Sequence, residues 1–282
     1  MKNVTKNYTL EFALDLPIAI DGITLYPFKM KDLMTYFTCA KVIKLEKAQI
    51  SVQYIKMSYY TFLCHYISTL ISSTKEEERM AGNSYMILFA SLFSGAMRTT
   101  VLPSFLYNPE TKESAIKLYE PNPEKGEEEI YKNPKAVYTL TKEKFDDIRS
   151  ILIYQNDVHF IDYDNYSRDM QKLIKSEEER RARKGGGLSI EDRTDSVAVA
   201  CGYSTEEIGE MSIRRFERIY ERMRKKIEYQ INKTGAMSGF VTFKDKSILE
   251  PWTNPLESDP LKNIITDYDS FVKETKGMMG KA

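Results

Sequence analysis

Histidine is scarce in this chain, with two in 282 residues, and cysteine nearly so, with three. Neither His65 nor His159 has a serine or cysteine at nucleophile spacing, and HExxH, GxSxG and P-loop patterns are all missing. Zinc-hydrolase, acyl-transfer and nucleotide-hydrolysing chemistry therefore lack their usual carriers. Cys39, Cys64 and Cys201 lie far apart without a CxxC pair, which argues against a disulfide framework and a structural zinc site and fits a reducing compartment. Net charge is missing too. The 41 basic and 41 acidic residues cancel, so the whole chain has no electrostatic reason to seek nucleic acid or an anionic membrane. Long apolar runs are also wanting: the most apolar window, Tyr85 to Met97, is well short of the ~20 residues that span a bilayer. The first ten residues have no apolar stretch of the kind a secretory signal needs.

What is present is enough apolar material for folded domains, at 42% of residues. Leu14, Leu16, Ile18 and Ile20 alternate up to Asp21-Gly22, and Ile23, Leu25 and Tyr26 follow, which predicts a β-hairpin. Asp32 is placed to cap a helix running to about Lys47. A longer helix is expected from about Ser51 to Ser72, with Tyr54, Met57, Tyr60 or Phe62, Cys64 and Ile67 inward. Residues 75–79 read as a charged loop before an apolar helix starting near Asn83. Val101 to Tyr107, Ala115 to Tyr119 and Ala136 to Leu140 are short β-forming runs set off by Asn-Pro steps, and they predict a small antiparallel sheet that the hairpin can join. Thr141 then caps a helix with Phe145, Ile148, Ile151 and Leu152 on one face, ending near Asn156. Asp162 and Asp164 alternate, but without the glycine and distal glutamate of a calcium loop. Another helix follows and ends at Gly185 to Gly187, read as a flexible joint rather than a phosphate cradle.

The stretch from Leu188 to Trp252 has the clearest pattern. Ser189 with Asp192 starts one helix and Gly202 stops it; Ser204 with Glu207 starts a short second one. From Ser212 the apolar residues Ile213, Phe216, Tyr220, Met223 and Ile227 recur at steps of three and four, the stripe of a helix about twenty residues long. Arginine and lysine crowd its other faces. Past Asn232 the small residues are expected to end the helix, and Phe240 to Phe243 alternate as a short strand. Ala198, Gly202 and Ile208 fall at helix-turn-helix spacing, which keeps a DNA-binding regulator among the alternatives, although the glutamates in the following helix speak against it.

Gly202-Tyr203-Ser204, Glu207-Ile208, Met211-Ser212-Ile213-Arg214-Arg215-Phe216, the run Gly235 to Lys244 and the terminal Ile248 and Trp252 together resemble the C-terminal half of small tail assembly proteins of tailed phages and prophages of Gram-positive bacteria. Those are generally described as tail assembly chaperones, and the resemblance extends from Phe145 to Trp252. It implies a non-enzymatic factor of the host cytoplasm that binds the tape measure protein and helps tail tube protein assemble around it. A structural tail or baseplate component of the virion is a further alternative, and self-association is compatible with either.

The combined expectation is an α+β protein, predominantly helical: an N-terminal α+β domain over 1–140, a helical domain over 141–250 with a joint near 185–187, and an irregular tail over 251–282. No catalytic residue, metal or cofactor is assigned. The residues expected to meet a partner are Met211, Phe216, Tyr220, Met223, Ile227, Met237, Phe240 and Trp252, adaptable apolar side chains on or beside one helix.

Overall fold

A computed structural model describes residues 7–111, 113–122, 124, 131–157, 160–184, 188–239, 242–243 and 249–256. The fold is α+β and predominantly helical. By contacts the chain divides into two compact units. The first takes the described residues up to Phe160 together with Gly209–Phe216, and the second the described residues of 161–208 and from Glu217 onward.

In the first unit, α1 (Thr9–Leu14) ends at Asp15, which adopts a left-handed conformation with φ 57°. The hairpin follows as β1 (Ile18–Ile20) and β2 (Ile23–Leu25), paired antiparallel with Ile20 opposite Ile23. Asp21 and Gly22 both have positive φ, 48° and 82°, as the tightest two-residue turns require. The predicted first strand is thus shortened: the left-handed turn at Asp15 takes Leu14 into a helix and leaves Leu16 outside the ladder. The hairpin also forms its own two-stranded sheet rather than extending the larger one. It is tied instead to a helix, with Tyr26 N–H donating to the Ala96 carbonyl at 2.7 Å.

The helix expected from Asp32 to Lys47 is broken. A 3₁₀ turn at Met30–Asp32 leads into α2 (Leu33–Cys39), a second 3₁₀ segment covers Ala40–Ile43, and the Asp32 side chain makes no cap. After a single turn, α3 (Lys47–Ile50), the long helix begins not at Ser51 but at Tyr59. Buried Lys47 explains the delay: its ammonium donates to the carbonyls of Met57 at 2.9 Å and Ile55 at 3.4 Å, oxygens that a continuous helix would use internally. Ser58 is the actual cap of α4 (Tyr59–Ile71), accepting the Thr61 N–H at 3.1 Å. The charged residues near 75–79 do not form a loop; they are the first turn of α5 (Glu76–Met97), where Glu76, Glu77 and Glu78 meet the positive end of the helix dipole.

The sheet has the predicted strands, β3 (Leu102–Tyr107), β4 (Ser114–Glu120) and β5 (Ala136–Leu140), in the order β3-β4-β5 and antiparallel throughout. Its inner face presents Phe105, Ile116, Leu118 and Leu140, and α4 packs on β3 and β4. The Tyr60 hydroxyl joins helix to sheet: it accepts the Ile116 N–H at 3.1 Å and donates to the Leu140 carbonyl at 2.8 Å. Thr141 caps α6 (Lys142–Asn156) as expected, and Phe145, Ile148, Ile151 and Leu152 are all buried. Phe89 stacks on Phe93 with centroids 4.4 Å apart and meets Phe105 edge-on at 4.9 Å, which makes the centre of this unit aromatic.

The second unit is helical. It contains α7 (Arg168–Lys184), α8 (Ile190–Cys201), α9 (Thr205–Glu210, of which the last two residues fall in the first unit) and α10 (Ile213–Met237) from Glu217 on. The capping box of Ser189 and Asp192 is formed, Gly202 closes α8, and Ser204 and Glu207 exchange hydrogen bonds at the start of α9. Helix α10 outruns its expected end near Asn232. It continues through Gly235, whose penalty of about 1 kcal/mol does not stop an established helix, and ends only where Gly239 turns left-handed at φ 74°. Of the strand expected at Phe240 to Phe243, Thr242 and Phe243 are not in a strand, and Phe240 and Val241 lie outside the described residues, as do His159 and Gly185 to Gly187.

Gly82 marks the crossing of α4 and α5. A Cβ there would lie 2.9 Å from the Ile71 backbone nitrogen and 3.0 Å from the Leu70 Cβ. Gly82→Ala gains about 1 kcal/mol of helix propensity but forces apart two packed backbones at about 1–3 kcal/mol. The net expectation is a loss of about 1 kcal/mol, read as a lower urea midpoint; an unchanged or raised midpoint would show that the crossing tolerates the methyl.

Candidate protein-binding surface

The residues of Met211-Ser212-Ile213-Arg214-Arg215-Phe216 share one local structure. Met30 N–H donates to the Met211 carbonyl at 2.9 Å and Ile213 N–H to the Phe28 carbonyl at 3.1 Å, an isolated antiparallel bridge centred on Lys29 and Ser212. Phe28 is itself held, its N–H donating to buried Asn156 Oδ1 at 2.8 Å while the Asn156 amide donates to the Leu152 carbonyl at 2.8 Å. Ser212 Oγ accepts the Arg215 N–H at 3.0 Å, which caps α10, and donates to Asp15 at 2.6 Å. Buried Arg214 donates to the Tyr154 carbonyl at 3.0 Å and lays its guanidinium 3.8 Å from the Tyr154 ring centroid, a contact that partly offsets its lost hydration. Glu210 completes the clasp with ion pairs to Lys29 and, at 2.6 Å, to Lys31.

Beyond this anchor the stripe of α10 changes character along its length. Phe216, the last residue of the first unit, is fully buried. Met211 is half-buried, and its backbone oxygen is committed to the bridge. Tyr220 and Met223 are half-buried in the second unit; the Arg193 guanidinium sits 4.5 Å over the Tyr220 ring and pairs with Glu217. From Ile227 the stripe emerges: Ile227 is 45% exposed and Ile231 66%, while Met237, 78% exposed at the end of the helix, lies about 120° round the helix from Ile231. Trp252 is half-buried beside the same helix. Arg222 donates to the carbonyls of Trp252 and Asn254, both at 2.6 Å, and the Lys226 ammonium lies 5.8 Å from the Trp252 ring. Phe240 lies outside the described residues.

The structure therefore brings Tyr220, Met223, Ile227 and Met237 onto one helix with Trp252 alongside, and separates Phe216 from them by burial. Ile231 belongs to the surface and escaped the sequence reading. Its position four residues after Ile227 is the signal, obscured because the helix was expected to fail just past it. An apolar helical edge of this kind, open at one end and supported at the other, is suited to receive an apolar stripe from another helix.

The clasp has a pH signature. Hydrogen bonds from Lys29 and then Lys31 hold the Glu210 carboxyl far below its ordinary 4.5, down to about 2. A carboxyl depressed on folding adds stability above its unfolded value, and that contribution is lost as pH falls through the folded one, here between about 4.5 and 2. Glu210→Gln is expected to lower the urea midpoint at neutral pH and to leave it unchanged near pH 2; equal effects at both would remove the ion pairs as the cause.

Residues 176–257 match the family model described as the YomV second domain, a stretch that takes in α8, α9, all of α10 and the Trp252 segment. Comparisons with curated proteins and with solved structures gave no match. The matched family is associated with phages of Bacillus, and similarity to it over the segment that carries both the clasp and the exposed stripe points to a phage-related protein.

Proposed function

We propose that this chain is a tail assembly chaperone of a tailed phage or prophage, a binding protein without catalytic activity that works in the host cytoplasm. The observation that carries the reading is the exposed distal half of α10, Ile227, Ile231 and Met237, within the segment similar to a phage-associated domain. A tape measure protein is long and helical by this reading and presents apolar stripes that need cover until tail tube protein encloses it. Helix α10 supplies a matching edge.

The size of that edge suits a temporary hold. Fully burying a side chain such as Ile or Met is worth about 1.5–3 kcal/mol, so three of them supply several kcal/mol. Association costs about 4 kcal/mol or more in lost rigid-body freedom, which leaves a modest net affinity unless neighbouring contacts add to it. Tube subunits that bury more of the tape measure surface can then displace the chaperone. No helix among the described residues is long and apolar enough to cross a membrane. Duplex binding draws little support from α9, which has six residues and bears Glu206, Glu207 and Glu210 against any phosphate backbone.

Co-expression of the full chain with the tape measure protein of the same phage, followed by affinity capture, tests this. Capture is expected with the unaltered chain, with a loss of tenfold or more for Ile231→Asp, which at an exposed site leaves thermal stability nearly unchanged. Capture indifferent to Ile231→Asp, or stable retention of the chain in purified virions, would overturn the proposal.

A further inference from the structure

The chain past Trp252 starts out from the helix that carries the exposed stripe. Arg222 donates to the carbonyls of Trp252 and Asn254, both at 2.6 Å, and half-buried Leu256 is the last described residue. In the sequence beyond it, Leu261, Ile264, Ile265, Tyr268, Phe271 and Val272 fall within an arc of about 120° when laid out at 100° per residue. Asp259 and Pro260 stand where a helix in that register takes its cap and its first residue, and Gly277 stands where it would stop. Residues 260–276 thus have the pattern of an amphipathic helix rather than of the irregular tail expected over 251–282. The stripe is within their reach. Ile227 lies about 8 Å along the axis from Arg222 and about 140° round the helix, roughly 14 Å away across a helix some 12 Å wide. Leu261 is seven residues past Asn254, and seven extended residues span about 23 Å.

We propose that the stripe of Ile227 and Ile231 is covered in the free protein by this chain's own segment 260–276, seated as an amphipathic helix, and that a partner gains the stripe by displacing it. This rests on the stripe being the docking surface of the proposed function and adds how that surface is regulated. Tethering decides between the possible occupants. A short linker holds the segment at an effective concentration of about 1 mM. A contact with a Kd of about 0.1 mM between separate molecules is then about nine-tenths closed within one chain. A second copy would need a millimolar concentration of free chain to compete on equal terms. A partner meets the open stripe in only about a tenth of the molecules, so its apparent affinity is about tenfold weaker than for a chain whose cover has been removed. The cover keeps an apolar edge out of water until a partner that buries more of it arrives.

The test uses the full chain with a photo-crosslinking side chain in place of exposed Thr234, which falls on the same side of α10 as Ile227 and Ile231 and leaves both isoleucines intact. At micromolar concentration, crosslinks are expected within single chains to residues 261–272, and Ile265→Asp with Tyr268→Asp should abolish them. The same two substitutions, made without the crosslinker, are expected to strengthen capture of the tape measure protein about tenfold. Thermal midpoints of both chains check that the rest of the fold is intact. Crosslinks that miss residues 261–272, or that join chiefly two copies, would overturn the inference; capture that still depends on Ile231 would leave the proposed function standing. Capture unchanged by the tail substitutions would overturn the segment as a competitor for the stripe. If no version of the chain captures the tape measure protein while the crosslink within the chain holds, the proposed function fails and the cover stands.

Discussion

Two backbone hydrogen bonds fix the part of this protein on which its functional reading turns. Met30 N–H to the Met211 carbonyl and Ile213 N–H to the Phe28 carbonyl bring a segment nearly two hundred residues downstream back onto the N-terminal fold. The bonds are neutral and individually worth about 1 kcal/mol, so their importance lies in register. They set which residue begins α10. Once Ser212 is placed as the cap, Phe216 turns into the core, and the side chains at later positions follow by helical geometry.

The surroundings of that bridge show why it holds. Asn156, with no exposed surface, spends its amide oxygen on the Phe28 N–H and its amide nitrogen on its own helix, so neither group is left buried without a partner. Arg214 is the costlier member, a guanidinium taken out of water, and a carbonyl and an aromatic face receive it. The same economy appears at Lys47, Arg149 and Tyr60: Arg149 donates to the Ile43 carbonyl at 2.8 Å over the Tyr59 ring, and each of these polar side chains ties an irregular stretch of backbone or a strand end to a helix. Cationic and phenolic side chains do here what regular ladders do elsewhere.

The residues that were hardest to read are those whose conformation is settled by such distant partners. Helix α6 could be placed from Thr141 and its apolar spacing because a cap and a stripe are both local signals. The start of α4 could not, since the Lys47 ammonium that draws off the carbonyls of Ile55 and Met57 is invisible to periodicity. At α5 the acidic run was locally ambiguous between loop and first turn, and packing of the apolar turns beyond it favoured the helix. The candidate surface was legible in part: the spacing through Ile227 announced a stripe, but the division between its buried and exposed halves, and the inclusion of Ile231, required knowing where the chain is covered.

The sequence alone determined the α+β, predominantly helical character, the strands of the sheet, the capping boxes at Ser189 and Ser204, and the amphipathic line of α10, because caps, turns and periodicity act over a few residues. Only the tertiary structure decided that Phe216 is core while Ile227, Ile231 and Met237 face outward. One helical stripe reads the same along its whole length. Which part of it water can reach depends on side chains brought there from elsewhere in the chain, and no local pattern encodes that.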